Sequence, residues 1–455
     1  MTMFRFTYTA VSMLLITILI SLSGCEDFLD EKPNQKLAVP ATLDDLQNLL
    51  DNPAAISLNN ASLPEVCADD YYNIEADWKG FDPFLRNATI WEKDLGTQAV
   101  NTWRNQYTAI YYMNSVLEGL DDVERGAGNA GTYDNIKGQA LYYRAKSCLL
   151  LASLFCKTYD AATALTDLGL PLRIGTDFNK VSKRESVEAT YSLILNDLIA
   201  ASSLLDNSQV HKLRPTKAAA FGLLSRVHLF MRNYPAMGQF ADSCLRLNNK
   251  LLDYNTLKST DTYPIKYTND EVLILNRITV PAPLNAASGK VDSNLYRSYH
   301  SNDLRKDIYF RKNTDNSYRF RGGYEGNGSF FGGQATDEVY LMRAEAFARA
   351  GKKDEALGDL NTLLEKRFKT GTFVPVTAST AEEALELILV ERRKELLFRN
   401  IRWPDIKRLN REGRNITLVR KIGEKLFTLP PNDNRFALLV PDDVVALSGM
   451  EQNPR

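Results

Sequence analysis

The strongest constraint on this chain is a pair of look-alike stretches. One is TKAAAFGLLSRVHLFMRNYPAMGQFADSCLRL, residues 216–247. The other is DEVYLMRAEAFARAGKKDEALGDLNTLLEKRF, residues 337–368. Each reads as an alanine-rich first helix, a short polar turn and a second helix with one apolar stripe. Gly351 can close the first helix of the later copy, because glycine adopts the left-handed conformation of a helix end without a Cβ clash. Small side chains let the two helices of a pair approach closely. A hairpin of this kind hides only part of its apolar surface, so it needs neighbours of the same build.

The rest of the chain supplies such neighbours. In VEATYSLILNDLIAASSLL, Tyr191, Ile194, Leu195, Leu198 and Ile199 recur at helical spacing, and Ser186 can cap the helix start. Val100, Trp103, Tyr107, Ile110, Asn114 and Leu117 form a similar stripe, which places Trp103, like Trp91, in the core. NIKGQALYYRAKSCLLLASLF is apolar on nearly every side through its second half, which predicts a central helix. The expected fold is therefore mainly α. Its scaffold is built of helix pairs similar to tetratricopeptide repeats, with little β structure.

The pattern breaks between about 250 and 335. Here there is one short strand candidate, Glu271 to Asn276, followed by Gly-, Ser- and Asn-rich loops. RGGYEGNGSFFGGQ carries six glycines, but a phosphate-binding reading does not fit. No lysine follows the last glycine, and the next helix opens on Asp337 and Glu338, which would repel an anion at that terminus. A flexible or closely packed loop is the better expectation.

The first ten residues carry one charge, Arg5, and residues 11–20 are apolar apart from two small hydroxyls. That is the build of a secretory signal, and the run is shorter than the roughly 20 residues a bilayer span needs. Leu22-Ser23-Gly24-Cys25 ends it. This stretch resembles the lipobox of bacterial lipoproteins, which implies a signal peptide over residues 1–24 and acylation of Cys25. Several acyl chains on one residue anchor a protein stably, where one would be marginal.

With the leader removed, Arg5 is lost and the net charge goes from −1 to −2. Such a balance gives no general attraction to nucleic acid. Cys67, Cys148, Cys156 and Cys244 are too few for a disulfide framework and read as buried thiols. Cys148 and Cys156 sit eight residues apart on one helix, about 12 Å along its axis, too far to bridge. His211, His228 and His300 are scattered, so neither a His-rich zinc site nor a histidine triad is visible; His228 reads as packed.

Several stretches taken in order are similar to the SusD/RagB family of outer-membrane nutrient-binding lipoproteins of Bacteroidota. They are CEDFLDEKP (25–33), NTWRNQYTAIYYMNSVLEGL (101–120) and LRPTKAAAFGLLSRVHLFMRNY (213–234). NDLRKDIYF (302–310), TDEVYLMRAEAFARAGKKDEAL (336–357), ILVERRKELLFRNIRWPDIKRLNR (388–411) and LVPDDVVALSGMEQNPR (439–455) follow. The end departs from the family, with Arg455 after Pro454 where a glycine and an aromatic are common. The resemblance spans nearly all of the chain after the leader. It implies a SusD-like fold of four tetratricopeptide-like pairs with an irregular, loop-rich ligand face. By this reading residues 25–250 form the N-terminal region and 251–455 the C-terminal region, with the loop-rich insert at about 251–335. It also implies no catalysis, no cofactor, and a lipid-anchored position at the outer membrane. The implied partners are a SusC-like TonB-dependent transporter, over which the protein sits as a lid, and an oligosaccharide or, in some members, a peptide cargo.

Which residues could meet a cargo? Aromatics outside the helical stripes are the candidates. ADDYYNIEADWKGFDPF offers Asp70, Tyr71, Tyr72, Trp78 and Phe81, and the middle loops add Tyr296 and Tyr299 as a second wall. Stacking a sugar on one ring buries about 50 Å² of apolar surface, roughly 1 kcal/mol. Millimolar affinity needs about 4 kcal/mol, so two or three rings with polar partners are required. A hydrolase would need paired carboxylates on opposite faces of a sugar bond, which the adjacent Asp69 and Asp70 are not placed to provide. In ERRKELLFRNIRWPDIKR, Glu391, Arg392, Arg393, Glu395, Arg402 and Asp405 alternate in sign along an anchored helix. They read as a structural ion network, not an active site.

Overall fold

The helical periods come out as helices. A computed structural model describes residue 40 and residues 42–56, 61–97 and 102–455. The leader, Cys25 and Val100 lie outside the described residues. The longer helices are α1 (Leu43–Leu50), α2 (Thr102–Asp121), α3 (Ala130–Phe155), α4 (Val187–Leu204), α5 (Lys217–Phe230) and α6 (Tyr234–Leu247). They continue with α7 (Thr336–Arg349), α8 (Lys353–Glu365), α9 (Ala381–Glu395) and α10 (Arg402–Arg411). Starts are capped by short polar side chains. Ser186 accepts from Ala189 N at 3.0 Å, Thr216 from Ala219 N at 3.3 Å and Thr380 from Glu383 N at 3.1 Å, each satisfying an amide that has no partner in the helix. Gly351 follows α7 at φ +75°. Among the described residues no helix is long and apolar enough to cross a membrane.

Leu43–Arg455 form one packed unit. Within it α2, α3, α4, α5, α6 and α7 each pack on the next, and α7 packs on both α8 and α9. The two hairpins read from the sequence, α5–α6 and α7–α8, are therefore neighbours in one stack, although 88 residues separate them. Small residues make the junction. A Cβ on Gly238 of α6 would come within 2.8 Å of the Ala346 Cβ on α7. The central-helix expectation holds for α3, which is buried on nearly all sides from Gly138 to Phe155. One expectation shifts. On α4, Ile199 is exposed, and the inward position beside Leu198 is taken by Asp197. Arg144 of α3 explains this, because its guanidinium meets the Asp197 carboxylate through two bonds of 2.7 Å.

The 251–335 insert leaves the stack after α6 and returns at α7. Its base is closed by two short antiparallel ladders, Val272–Ile274 with Gln334–Ala335 and Arg277–Ile278 with Phe330–Phe331. The strand candidate at 271–276 is thus found, and the glycine-rich run supplies its partner. Gly333 lies so close to the Ile274 carbonyl that a Cβ there would sit 2.0 Å away. These glycines serve close packing. Asp337 and Glu338 at the start of α7 are both buried and pair with Arg399 and Arg226.

The thiols of Cys67, Cys148, Cys156 and Cys244 are buried and unbridged. His228 packs against Phe240 with ring centroids 5.3 Å apart. Trp91 and Trp103 are both in the core.

Candidate functional site

The two aromatic segments proposed as opposing walls are joined by hydrogen bonds. Tyr71–Tyr72 form a short strand that pairs antiparallel with Lys290–Val291, Tyr71 opposite Val291 and Tyr72 opposite Lys290. The junction is reinforced at both ends. The Asp292 amide donates to the Asp70 carbonyl at 2.8 Å. The Asn73 amide group donates to the carbonyls of Pro283 and Ser288 at 2.8 and 3.0 Å.

Alternation along the strand decides what each side chain faces. Tyr71 points inward and is 4% exposed. Its hydroxyl donates to the Val66 carbonyl at 2.8 Å, and the Arg420 guanidinium lies 4.2 Å from its ring centre. Tyr72 is half-buried, on the outer side. Asp70 is 1% exposed and accepts from Arg393 Nε at 2.8 Å. Beside it, Asp69 accepts from Arg402 Nε and Nη2 at 2.7 and 2.9 Å. Burial alone would raise both carboxyls. At Asp69 the two arginines outweigh it and hold the group well below the usual range, whereas Asp70 stays raised.

The remaining candidates divide the same way. Trp78, on the short helix Glu75–Lys79, is half-buried. Its indole N–H donates to Thr89 Oγ1 at 2.9 Å, and the Arg86 guanidinium sits 5.5 Å from its ring centre. Phe81 is packed inside. Tyr296 lies on the helix Ser293–Ser298, whose start is capped by Asp292 accepting from Leu295 N at 2.8 Å. It is half-buried and stacks on Tyr318 with centroids 3.6 Å apart and planes at 16°. Lys306 Nζ lies 4.9 Å from its ring centre. Tyr299 is 2% exposed, donating its hydroxyl to the Lys394 carbonyl at 2.8 Å. Asp70, Tyr71, Phe81 and Tyr299 are thus buried and offer a ligand almost no accessible surface. Their burial is a correction to the expected contact set, and the reason is that protein groups already occupy each of them.

Sequence reading missed Tyr318. It sits in a two-stranded ribbon, Phe310–Lys312 paired with Tyr318–Phe320. The signal was present in FRKNTDNSYRF, two short alternating runs around a polar turn. The ribbon turn is tied back to the first junction, because Lys290 Nζ donates to Asp315 Oδ2 at 2.6 Å and to Ser317 Oγ at 3.2 Å. A continuous chain of contacts thus leads from Tyr72 through Lys290 and the ribbon to Tyr296.

The frame behind these loops is ionic. Glu395 accepts from Arg305 Nη1 at 2.9 Å and Arg367 Nε at 2.8 Å. Arg305 also holds Asp303 and Glu391, each at 2.7 Å. Burial would raise Glu395, but Arg367 and Arg305 hold it down to about 2. Glu271, Asp337 and Glu395 bring carboxylate oxygens within 4.8 Å of one another. Arg367 reaches Glu271 at 2.6 Å and Arg399 reaches Asp337 at 2.7 Å. Guanidinium groups therefore supply the positive charge that a cation would bring. Arg392, Arg408 and Asp405 continue the network to Glu345, as expected of the Glu391–Asp405 block.

A second concave surface was not anticipated. Trp103, Tyr107, Ile110 and Tyr111 of α2, the 171–182 loop and Leu447 line a groove of about 560 Å³. Phe178 is 77% exposed and stacks on Tyr111, with centroids 5.0 Å apart.

Comparison with known proteins agrees with this architecture. Residues 27–229 match a SusD-like family model described as starch-binding and associating with the outer membrane. Residues 336–434 match the model of the SusD family. A SusD superfamily protein from Bacteroides thetaiotaomicron superposes with a TM-score of 0.73 at 23% identity, over 91% of this chain and 100% of that one. A SusD-like carbohydrate binding protein from Bacteroides vulgatus gives 0.67 at 20% identity, over 90% and 96%. A SusD superfamily protein from Bacteroides fragilis gives 0.73 at 20%, over 90% and 99%. At these identities the likeness is one of fold. No curated protein matches the chain.

Proposed function

Because the chain belongs to the SusD/RagB family, we propose that it is a non-catalytic, carbohydrate-binding lipoprotein of the outer membrane, anchored through Cys25. It captures oligosaccharides at the face carrying Tyr72, Trp78, Tyr296 and Tyr318 and passes them to a SusC-like TonB-dependent transporter. The observation that carries this reading is the pairing of Tyr72 with Lys290. It unites two aromatic segments more than 200 residues apart, one of them tied to the stacked Tyr296–Tyr318 pair. Half-buried rings with flanking lysine, asparagine and aspartate are the surface that a sugar needs, an apolar face with hydroxyls around it. Asp70, Tyr71, Phe81 and Tyr299 support this face from behind. Weak intrinsic affinity suffices, since anchoring beside a transporter raises the effective concentration of captured cargo.

Catalysis is disfavoured because Asp69 and Asp70, the adjacent acidic pair, are each tied to arginine. Titrating the protein with a panel of oligosaccharides tests the proposal. Binding without release of shorter products is expected, weakened several-fold by Tyr296→Ala and by Trp78→Ala. Unchanged affinity in both variants would remove this face from the proposal, and product release would replace capture with hydrolysis. A peptide cargo is the second reading, favoured by the apolar groove at Tyr111, Phe178 and Leu447. Peptide binding lost in Phe178→Ala, with no glycan binding, would select it.

A further inference from the structure

The ribbon that carries Tyr318 has two unlike sides. Phe310, Lys312, Tyr318 and Phe320 share one side and Arg311 and Arg319 the other, by strand alternation. Arg311 and Arg319 are directly opposite each other in the register. Arg321 follows Arg319 by two residues on the same side, and its amide extends the pairing to the Tyr309 carbonyl at 2.9 Å. Three arginine positions thus share one side of the ribbon, with Arg321 the buried one. Like charges directly opposite in a ladder destabilise it unless something offsets them.

Many arginines of this protein meet carboxylates, as Arg305, Arg367, Arg393, Arg402 and Arg408 do, while others, such as Arg184 and Arg420, are held by carbonyls. Among the described residues, no ion pair involves Arg311, Arg319 or Arg321. Arg321 is 8% exposed and donates to carbonyls, that of Ile308 at 2.9 Å and that of Ser259 at 2.9 and 3.0 Å. Arg311 donates once, to the Asp261 carbonyl at 3.1 Å. Arg319 donates once, to Asn313 Oδ1 at 2.7 Å. Each guanidinium has five N–H groups, so the two half-buried arginines keep most of theirs available. The acidic groups in range offset this charge only in part. Asp261 and Asp307 both act on Arg321, but Asp261 is already paired with Lys266, which leaves Asp307 against three guanidinium groups.

A planar guanidinium fork matches the geometry of carboxylate and sulfate oxygens. We propose that the arginine side of the 310–321 ribbon is an anion site that selects glycans bearing carboxylate or sulfate groups. Uronate-containing or sulfated oligosaccharides are then the preferred cargo. Arg321 forms the floor, and Arg311 and Arg319 donate to the oxyanion from either strand. This inference rests on the glycan-capture reading and adds to it a substrate class.

The test compares a galacturonate hexamer with a neutral galactose hexamer on the wild-type protein and on Arg311→Gln/Arg319→Gln. At low salt the acidic hexamer is expected to bind at least about tenfold tighter, as for one or two charge-assisted hydrogen bonds. The double variant should lose that preference while keeping its affinity for the neutral hexamer. Equal binding of the two hexamers to the wild type, or a preference that survives in the variant, would overturn the inference and leave neutral glycan capture intact. If neither hexamer binds, the oligosaccharide panel decides glycan capture and inorganic sulfate decides the anion site. A melting temperature raised by sulfate over chloride at equal ionic strength, more in the wild type than in the variant, supports it, and equal shifts refute it.

Discussion

Replacing Arg392 by alanine tests whether the charged C-terminal block is a frame or a binding site. Arg392 is 1% exposed, and its Nε donates to Asp405 Oδ2 at 2.8 Å. Removing one partner of a buried ion pair costs about 3–5 kcal/mol. Asp405 keeps Arg408 at 2.8 Å, so the lower end applies, about 3 kcal/mol. Unfolding roughly 400 ordered residues at about 2 cal/mol/K each gives about 0.8 kcal/mol per kelvin, so the melting temperature should fall by about 4 °C. The loss should depend on pH with a defined sign. Burial would raise the Asp405 carboxyl, but Arg392 and Arg408 outweigh it and lower it from 3.8. A depressed carboxyl stabilises the fold above its unfolded pKa, and the contribution is lost as pH falls through the folded value. The gap between wild type and variant should therefore be full at neutral pH and narrow below about pH 4. Adding Asp405→Ala should cost less than the sum of the single changes, because the orphaned carboxylate is gone. Calorimetric melts and glycan titrations on the same samples provide the assay. An unshifted melting temperature together with weakened glycan binding would refute the structural assignment and make Arg392 a ligand contact.

Three further outcomes follow from burial. Glu65 is raised from 4.5 to about 8 by burial, with Asp70 adding and the Asn400 amide opposing; a carboxyl raised on folding loses stability as pH climbs between those values. Glu65→Gln should then match wild type in acid and exceed it progressively up to about pH 8 in urea unfolding, and a gain independent of pH would contradict this. Tyr299→Phe should lower stability by about 1 kcal/mol through the lost bond to Lys394, with glycan affinity untouched, whereas Tyr318→Ala should weaken glycan binding. Burial raises the thiols of Cys67, Cys148 and Cys244 to about 12 and that of Cys156 to about 11. In a Cys25→Ala chain a thiol reagent should therefore label none of them until denaturant is added, and labelling of the folded protein would show that one is accessible.

Helix positions were legible because their causes are local. A period of 3.6, a capping Ser or Thr and a closing Gly351 act within a few residues of one another. That is why the two hairpins, α5–α6 and α7–α8, follow from the letters. The ribbon at 310–320 was missed, because its alternating runs are three residues long and short runs compete poorly with a nearby helical pattern. The neighbourhood of α6 and α7 was not legible, because an insert of 88 residues separates them and only Gly238 facing Ala346 marks the contact.

What the sequence determined by itself is the class of fold, the helix pairs, the two regions able to carry an aromatic face, and the network of alternating charges. Each of these depends on spacing along one stretch of chain. Which aromatics are accessible was decided only by tertiary structure. Tyr71 and Tyr72 are adjacent and chemically identical, and the pairing of Tyr72 with Lys290 turns one into the core and leaves the other at the surface. The same holds for Tyr296 and Tyr299, three residues apart on one turn of chain. Burial is set by whatever packs against a side chain from elsewhere, and no local pattern encodes that.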